Sequence, residues 1–299
     1  MGKCLIFNCQ GEITNGNVDK FGYLKISIKS VPELGSKLSG VILSSDPGAK
    51  MEIVGDSYFT NSNDENLGKT IQIPAQGRTY IHNSDCVLYV DKYNLTRLEF
   101  SSVVCPIDEL RYSTNLAILN TKCSGDIANL KDMTGLTYLN LENTQVSGDI
   151  SALSNMVNLS ALNLSSTQVS GAVDNLAGLT KLESLSDLKG ISLTGDMSKI
   201  PINVSFISQL ARKITTNFTW TANGRQNAKL LAMEGPVPFD TTSMDNMLID
   251  QATCTFEPVA SMPWCGIIAV SGTRTSASDA AVATIQSKGV TIIGVTKVS

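Results

Sequence analysis

A seven-residue phrase returns at a fixed spacing along the middle of the chain. Residues 121–127 read Thr-Lys-Cys-Ser-Gly-Asp-Ile, residues 144–150 read Thr-Gln-Val-Ser-Gly-Asp-Ile, and residues 167–173 read Thr-Gln-Val-Ser-Gly-Ala-Val, so the period is 23 residues. A shorter copy, Leu-Thr-Gly-Asp-Met at 193–197, follows with an offset of 24. A fixed period of this size is typical of one supersecondary unit stacked on copies of itself. Such arrays build surfaces, so the repeat favours binding or scaffolding over catalysis.

Leucines follow the same period and predict one short strand per copy. The recurring leucines are Leu139, Leu141 and Leu153, and then Leu162, Leu164 and Leu176. In Leu139-Asn140-Leu141 the two leucines point to one side of a strand and the asparagine to the other. Over roughly residues 112–200 the copies resemble the leucine-rich-repeat family, in the subtype with a small-Gly-x-Ile block. That resemblance implies a second strand in each coil and, with about four copies, only a short arc.

Three further columns of the repeat predict turn chemistry. We expect the hydroxyls of Thr121, Thr144 and Thr167 to bond turn backbone that would otherwise be buried and unpaired. The glycine column predicts a tight turn with positive φ or close backbone approach, and it consists of Gly125, Gly148, Gly171 and Gly195.

An aspartate follows the glycine in most copies. Asp126, Asp149 and Asp196 fit side chains that accept hydrogen bonds from turn backbone. Stacked carboxylates could instead bind calcium, but Ala172 interrupts the column. We therefore predict neither a metal nor a cofactor site.

The flanking sequence divides the chain into three predicted domains. Alternating apolar and polar residues separated by turn clusters predict an N-terminal antiparallel β-sandwich over 1–92. The leucine-rich-repeat solenoid follows over 93–200, where 93–115 forms a bridge, and an irregular continuation with a C-terminal cap occupies 201–299. The predicted fold class is therefore mainly β with short helices, a sandwich followed by a short solenoid.

Within the C-terminal domain the pattern predicts several elements. Strands are expected over 214–220 and 290–295, and helices over 227–233, 244–250 and 276–288, the last ended by Gly289. Helix, glycine and strand together predict one more solenoid-like coil that caps the array.

Composition narrows the classes of partner and site. A net charge of −4 and a pI near 5.1 without a dense Lys/Arg run exclude typical nucleic-acid binders. The sequence contains no run of 18 apolar residues, so no membrane span is predicted. The first residues resemble a strand more than a signal peptide, and we therefore expect the protein to be made and assembled in the cytoplasm. The seven cysteines are irregularly spaced, so neither a disulfide framework nor a zinc site is indicated, and Cys123 is expected in the core.

The lone histidine, His82, is expected in a solvated turn, so no catalytic residues are predicted and the chain is expected not to be an enzyme.

The outward positions of the repeat strands are the candidate binding residues, because strand polarity places them on the concave face. The candidates are Asn115, Tyr138, Asn140, Glu142, Asn163 and Ser165. Tyr138 is the one large anchor among them. The alternative is a solvated sheet that binds nothing.

The whole arrangement is similar to leucine-rich-repeat proteins of tailed bacteriophages, the crAss-like group among them. The features that carry this resemblance are a short N-terminal β-domain that leads into the Ser-Gly-Asp-Ile copies, then Phe218-Thr-Trp220, the segments 244–252 and 272–281, and the closing Gly-Val-Thr-Ile at 289–292. The resemblance implies a virion structural component, such as a head or tail fibre or decoration protein. It implies docking on capsid or tail proteins through the N-terminal domain and assembly into a trimer. Its repeats would face a host receptor. The alternative is a bacterial leucine-rich-repeat module for adhesion or protein binding.

Overall fold

The computed structural model describes only the strands within residues 1–106, by their backbone, and then residues 107–110, 113, 116–186, 192–207, 218–256 and 266–299. The chain forms two compact units, 1–138 and 139–299. The division falls inside the repeats, so the three domains expected from the sequence stay a prediction.

The first unit is mainly β structure. Its strands are β1 (Leu5–Phe7), β2 (Ile13–Asn15), β3 (Tyr23–Ile28), β4 (Lys37–Ser45), β5 (Lys50–Val54), β6 (Tyr58–Thr60), β7 (Asn66–Gly68), β8 (Thr70–Gln72), β9 (Thr79–His82), β10 (Cys86–Asp91), β11 (Leu95–Pro106) and β12 (Ile118–Asp126), with the short helix α1 (Ile107–Leu110) before β12. Strands β3, β10, β5 and β8 form one antiparallel sheet, and β4, β9, β6 and β7 pair antiparallel in a second. How the two sheets pack depends on side chains outside the described residues, so the sandwich stays a prediction. His82 ends strand β9 and does not lie in the expected turn.

Strand β11 is where the pairing changes from antiparallel to parallel. It pairs antiparallel with β4 along one edge and parallel with β12 along the other. Parallel neighbours need a crossover of a dozen or more residues, and stacked coils provide one at every turn. The change therefore marks the start of coiled topology within the first unit.

The second unit continues as parallel coils. Its strands are β13 (Tyr138–Asn140), β14 (Gln145–Asp149), β15 (Ala161–Asn163), β16 (Gln168–Ala172), β17 (Ser184–Ser186), β18 (Ser192–Thr194), β19 (Phe206–Ile207), β20 (Ala232–Pro238), β21 (Ile267–Arg274) and β22 (Thr291–Lys297). In the repeats each coil is strand, turn, second strand and 3-10 helix, the 3-10 helices being Ile150–Leu153, Val173–Leu176 and Met197–Lys199. Parallel pairing of β14 with β16 and of β15 with β17 stacks the coils. The second strand predicted for each copy is thus confirmed, and the coil is that of a leucine-rich repeat.

The recurring apolar residues form the core of the stack. Leu139, Leu162 and Leu185 are 1% exposed or less, and so are the valines and isoleucines of the repeated phrase. Each removes a large apolar side chain from water only because the next coil covers it, which is why the coils depend on one another. Cys123, in the first unit, is 2% exposed, as predicted, and burial raises the pKa of its thiol to about 12.

The threonine and glycine columns perform the predicted roles. The Oγ1 atoms of Thr144 and Thr167 accept from the amides of Val146 and Val169, and Thr167 also donates to the carbonyl of Leu164 at 2.7 Å. All four repeat glycines have φ between 101° and 118°, a region that favours glycine. The side chain of Thr121 lies outside the described residues.

The aspartate column caps the 3-10 helices. Asp126, Asp149 and Asp196 each accept a hydrogen bond from the amide two residues on, at 2.9, 2.8 and 2.9 Å. The turn-bonding interpretation of these residues is confirmed. Among the residues that the structure describes, no group of three or more His, Cys, Asp or Glu could hold a metal ion.

The C-terminal coils use true helices in place of 3-10 turns. Helix α2 (Thr241–Thr253) connects β20 to β21, and helix α3 (Asp279–Ser287) connects β21 to β22, all three strands being parallel. The helices predicted over 244–250 and 276–288 and the closing strand are confirmed within a few residues. The helix predicted over 227–233 is wrong, because this segment forms turn and the start of β20. The strand predicted over 214–220 lies mostly outside the described residues. None of the helices described is long and apolar enough to cross a membrane.

Buried polar groups connect these C-terminal coils. Asp250 is fully buried and accepts from Trp220 Nε1 at 2.8 Å and from the amide of Asn223 at 2.9 Å. Arg225 is 1% exposed and donates to the carbonyls of Pro201 and Val204, each at 2.8 Å. Burial lowers the pKa of this guanidinium to about 10. We call Asp250, Arg225 and Trp220 the polar knot.

Asp245 makes a similar connection farther along the unit. It accepts from Thr275 Oγ1 at 2.7 Å and from Ser278 Oγ at 2.6 Å, thirty or more residues away in sequence. In this region, side-chain carboxylates satisfy the backbone of the neighbouring coil, a role that hydrogen bonds within each turn perform in the repeats.

Candidate binding face

The parallel sheet of the second unit has one buried and one open side. Strands β15, β17, β19, β20, β21 and β22 are neighbours in that order. Their central residues pair in register, and four of them are 1% exposed or less: Leu162, Leu185, Met233 and Ile268. Residues on either side of each central residue point the opposite way. They define the open face, which consists of Asn140, Ala161, Asn163, Ser184, Ile267, Ala269, Thr291 and Ile293.

Exposure along the open face varies from strand to strand. Asn140, Ala161 and Asn163 are half-buried, Ser184 and Thr291 are exposed, and Ile293 is 51% exposed. At β20, between the two ends, the outward Ala232 is fully buried. The chain therefore covers this side of the sheet at β20, and the accessible parts of the open face are its two ends.

The two predicted asparagines are partly used by the fold. Asn140 Oδ1 accepts from the amide of Glu142 at 3.0 Å, and Asn163 Oδ1 accepts from the amide of Ser165 at 3.1 Å. Each asparagine thus closes the turn that follows its strand. The recurrence of Asn at a strand end is the signal that could have indicated this role from the sequence.

Glu142 is the one predicted acidic residue, and its carboxylate is held in place. Its Oε2 accepts from Asn163 Nδ2 at 3.1 Å and its Oε1 accepts from Asn143 Nδ2 at 3.2 Å. The side chain is exposed. The structure therefore brings Glu142 and Asn163 together as an anionic group of fixed orientation at one end of the open face.

The remaining predicted residues divide in three ways. Ser165 is 2% exposed, so its placement on the surface was wrong. It occupies the position of Glu142 in the next coil, but its short side chain stays below the surface. Tyr138 is half-buried, and its amide donates to the carbonyl of Ala117 at 3.1 Å within the first unit. Asn115 lies outside the described residues.

Sequence reasoning missed the apolar end of the open face. Ile293 pairs with Ala269, and Thr291 pairs with Ile267, so these outward side chains lie side by side on β21 and β22. The continuous apolar run at 290–295 indicated a strand but not which residues face outward. Only the parallel register with β21 assigns Ile293 to the same face as Asn163.

Comparison with solved structures gives leucine-rich-repeat ectodomains of plant receptors among the similar chains. One similar chain is the ectodomain of the receptor kinase GASSHO1/SCHENGEN3 from Arabidopsis thaliana, in complex with Casparian strip integrity factor 2. It is 16% identical to this chain, the TM-score is 0.41, and the match covers 67% of this chain and 27% of the ectodomain. The plant peptide hormone receptor RGFR1 in complex with RGF2 is 19% identical with a TM-score of 0.42, and the match covers 61% of this chain and 29% of the receptor chain. A plant ice-binding protein is 14% identical with a TM-score of 0.42, covering 70% and 67%.

The chain thus spans less than a third of the two receptor ectodomains. No protein-family model matches it, and no curated protein does. The TM-scores are low, so the leucine-rich-repeat fold rests on the coil geometry described above.

Proposed function

We propose that this protein is a non-catalytic leucine-rich-repeat module that binds a protein or peptide partner on the open face. The observation that carries the proposal is the division of the parallel sheet into two sides. Its inward residues are buried to 1% exposure or less at β15, β17 and β21, whereas outward residues of the same strands stay half-buried or exposed. A rigid sheet that leaves one side accessible offers a preformed surface, which lowers the entropic cost of binding.

The groups on this face suit recognition better than chemistry. Its polar side chains are amides, hydroxyls and one carboxylate, which are hydrogen-bonding groups of the kind found in protein interfaces. The small outward residues Ala161 and Ser184 let a partner's backbone approach the sheet closely. Nearby amides and the Glu142 carboxylate then supply the hydrogen bonds that fix orientation.

The proposal is tested by blocking the face. The double variant Ala161→Arg/Ser184→Arg places two long charged side chains on adjacent strands of the open face. Random peptides of about ten residues are selected against the immobilised full chain, and the retained peptides are then measured against the variant by biolayer interferometry. We expect at least a tenfold loss of affinity, about 1.4 kcal/mol.

A matched control places the same charges elsewhere. Asn155→Arg/Val157→Arg alters exposed residues in the turn after the 3-10 helix Ile150–Leu153 and should leave affinity unchanged. Circular dichroism checks that both variants fold. Equal binding by the wild type and the open-face variant would show that the partner binds elsewhere.

A narrower proposal is that the module belongs to a bacteriophage virion and docks through its N-terminal part, with the repeats facing a host receptor. Its support is the resemblance of the repeat phrase and C-terminal segments to phage proteins. This proposal predicts that the purified protein is a trimer and that antibodies against the protein label bacteriophage particles at fixed positions. A monomer in light scattering together with unlabelled particles would leave only the binding module.

A further inference from the structure

We infer that Asn223 is a site of spontaneous covalent modification, at which loss of the side-chain amide rearranges the main chain beside the polar knot. The sequence contains two Asn-Gly pairs, at 15–16 and at 223–224, and the second lies in the described turn before β20. Asparagines that precede glycine deamidate most readily, because glycine has no side chain to hinder attack by its backbone nitrogen. The turn both preserves this pair and leaves it accessible.

The fold retains both members of the pair. Asn223 has φ of 63°, in the left-handed region that asparagine adopts more readily than most residues other than glycine. A Cβ atom on Gly224 would lie 2.3 Å from both Cβ and Oγ of Ser198, which belongs to the preceding coil. Packing between coils therefore requires glycine at 224, and the backbone conformation at 223 favours asparagine or glycine.

The reaction needs only water as a co-reactant. The backbone nitrogen of Gly224 forms a bond to Cγ of Asn223, the bond from Cγ to Nδ2 breaks, and ammonia leaves with the proton from the Gly224 nitrogen. Water then opens the resulting cyclic imide. Opening at Cγ leaves an aspartate, whereas opening at the main-chain carbonyl carbon leaves an isoaspartate, in which Cβ and Cγ have become part of the main chain.

The surroundings of Asn223 favour the first step. The side chain is exposed, so water and hydroxide reach it, and Gln226 Nε2 donates a hydrogen bond to Asn223 Oδ1. That oxygen gains negative charge when the Gly224 nitrogen attacks, so the donor stabilises the transition state. The Gly224 N–H donates to the carbonyl of Thr221 at 3.1 Å, and local opening of this turn has to release that bond first.

Isoaspartate at position 223 would disturb the polar knot. The backbone amides of Asn223 and Arg225 donate to the two carboxylate oxygens of Asp250, at 2.9 and 3.3 Å, so these bonds fix the length of main chain between the two amides. An extra main-chain atom between them does not fit this arrangement. The new carboxylate also places a negative charge close to that of the buried Asp250. Both effects weaken the attachment of the turn to helix α2.

The test follows the folded full chain during incubation at mildly alkaline pH. Peptide mapping by mass spectrometry, with enzymatic methylation to detect isoaspartate, separates Asn223 from the pair at 15–16. We expect deamidation at Asn223 and little change at Asn143 and Asn227. These two controls are also exposed and have φ of 54° and 60°, but threonine and alanine follow them. Gln226→Ala should slow the loss at Asn223 several-fold.

A second measurement links the modification to the polar knot. Incubated wild-type protein should contain a population with a lower melting temperature in scanning calorimetry, in proportion to its isoaspartate content. Asn223→Gly accepts positive φ but cannot deamidate, so its melting temperature should not change during the same incubation. Because this variant retains Asn15, it also controls for the other pair. Asn223→Asp adds the charge without the extra main-chain atom and should lower the melting temperature less than isoaspartate does.

The contrary outcomes are distinct. Equal rates at Asn223, Asn143 and Asn227 in the folded chain, or loss at Asn223 only after unfolding in urea, would overturn the modification site. An unchanged rate in Gln226→Ala would refute the activation by Gln226. Deamidated wild-type protein that melts like fresh protein would overturn the link to the polar knot.

Discussion

The repeats over 139–200 and the C-terminal coils over 218–299 belong to one unit but satisfy their backbone differently. In the repeats, side-chain oxygens that bond turn amides lie two residues from them, such as Asp149 with the amide of Ser151 and Asn163 with the amide of Ser165. In the C-terminal coils, buried carboxylates also bond groups from a neighbouring coil, such as Asp250 with Trp220 Nε1 and the amide of Asn223. The backbone amides in the turns of a parallel stack need hydrogen-bond acceptors. Either a side chain two residues away or a buried carboxylate of a neighbouring coil can supply them.

The difference predicts where each region is vulnerable. Leucine-rich coils should be most sensitive to loss of apolar volume, and the C-terminal coils to loss of a hydrogen-bond acceptor. Comparing the stability losses caused by substitutions in the two regions therefore tests this difference.

The largest effect is expected from Asp250→Ala. Removing this buried carboxylate leaves Trp220 Nε1 and the amide of Asn223 without their acceptor, and Arg225 without its nearby anion. We expect the free energy of unfolding to fall by about 4 kcal/mol, measured by urea denaturation with circular dichroism. Asp250→Asn, which keeps one carbonyl acceptor, should lose less. A loss for Asp250→Ala of under about 1 kcal/mol would contradict the importance of the polar knot.

Leu162→Ala should have the largest effect within the repeats. Its side chain is 1% exposed and the coils on either side cannot close the cavity fully. The expected loss is about 3 kcal/mol in the same denaturation measurement. Val157→Ala, at a position that is 48% exposed, is the control and should change stability little. Similar losses for both would mean that the leucine column does not form the core.

Acid should weaken the aspartate caps of the repeats. The amide of Ser151 lowers the pKa of Asp149 below its ordinary value of 3.8. Burial acts to raise the pKa of Asp196, but hydrogen bonds from Ser198 and Thr221 outweigh it and lower it below 3.8.

Because the folded pKa values lie below those of the unfolded chain, this stabilisation is present at neutral pH and is lost as pH falls through the folded values. The melting temperature should stay constant from neutral pH down to about pH 5 and then drop as pH falls through and below 3.8. The drop should be smaller in Asp196→Asn, and an unchanged drop would show that other carboxylates cause it.

Asp149→Ala should cost much less than either core substitution. It removes an exposed capping carboxylate, and the amide of Ser151 can then bond water. Residue 172 is a natural reference, because Ala172 begins the next 3-10 helix without a side-chain cap. A decrease in melting temperature as large as that of Leu162→Ala would remove the contrast between caps and core.

Ser166→Gly should stabilise the protein slightly. Ser166 has φ of 56°, in the left-handed region that side chains other than Asn and Asp rarely adopt. Relief of this strain, offset by the entropy of glycine, should add about 0.5 kcal/mol to the free energy of unfolding. The corresponding Asn143→Gly should change little, since asparagine tolerates φ of 54°. Destabilisation by Ser166→Gly would mean that the serine side chain contributes to the turn.

The contrast also explains what the sequence could predict. The leucine, threonine, glycine and aspartate columns recur with their partners two or three residues away or one period on, so their roles follow from local spacing. Asp250 and Arg225 occur once, and their partners are identified only when the coils are stacked. The same limit applied to the binding face, where Ser165 was misplaced because exposure at that position depends on side-chain length, and Ile293 was missed because its orientation depends on register.

The glycine column has a consequence for the evolution of the array. A Cβ atom on Gly171 would lie 2.9 Å from the carboxylate of Asp149, so the third copy accommodates the aspartate of the second copy because a glycine stands at this position. Hydrogen bonds such as Gln168 to Gln145 and Lys181 to Asn158 likewise span 23 residues. Duplication of a 23-residue segment therefore keeps side chains such as these in register from one coil to the next. Duplication or deletion of such a segment can thus lengthen or shorten the repeat array by whole coils while neighbouring coils keep the same contacts.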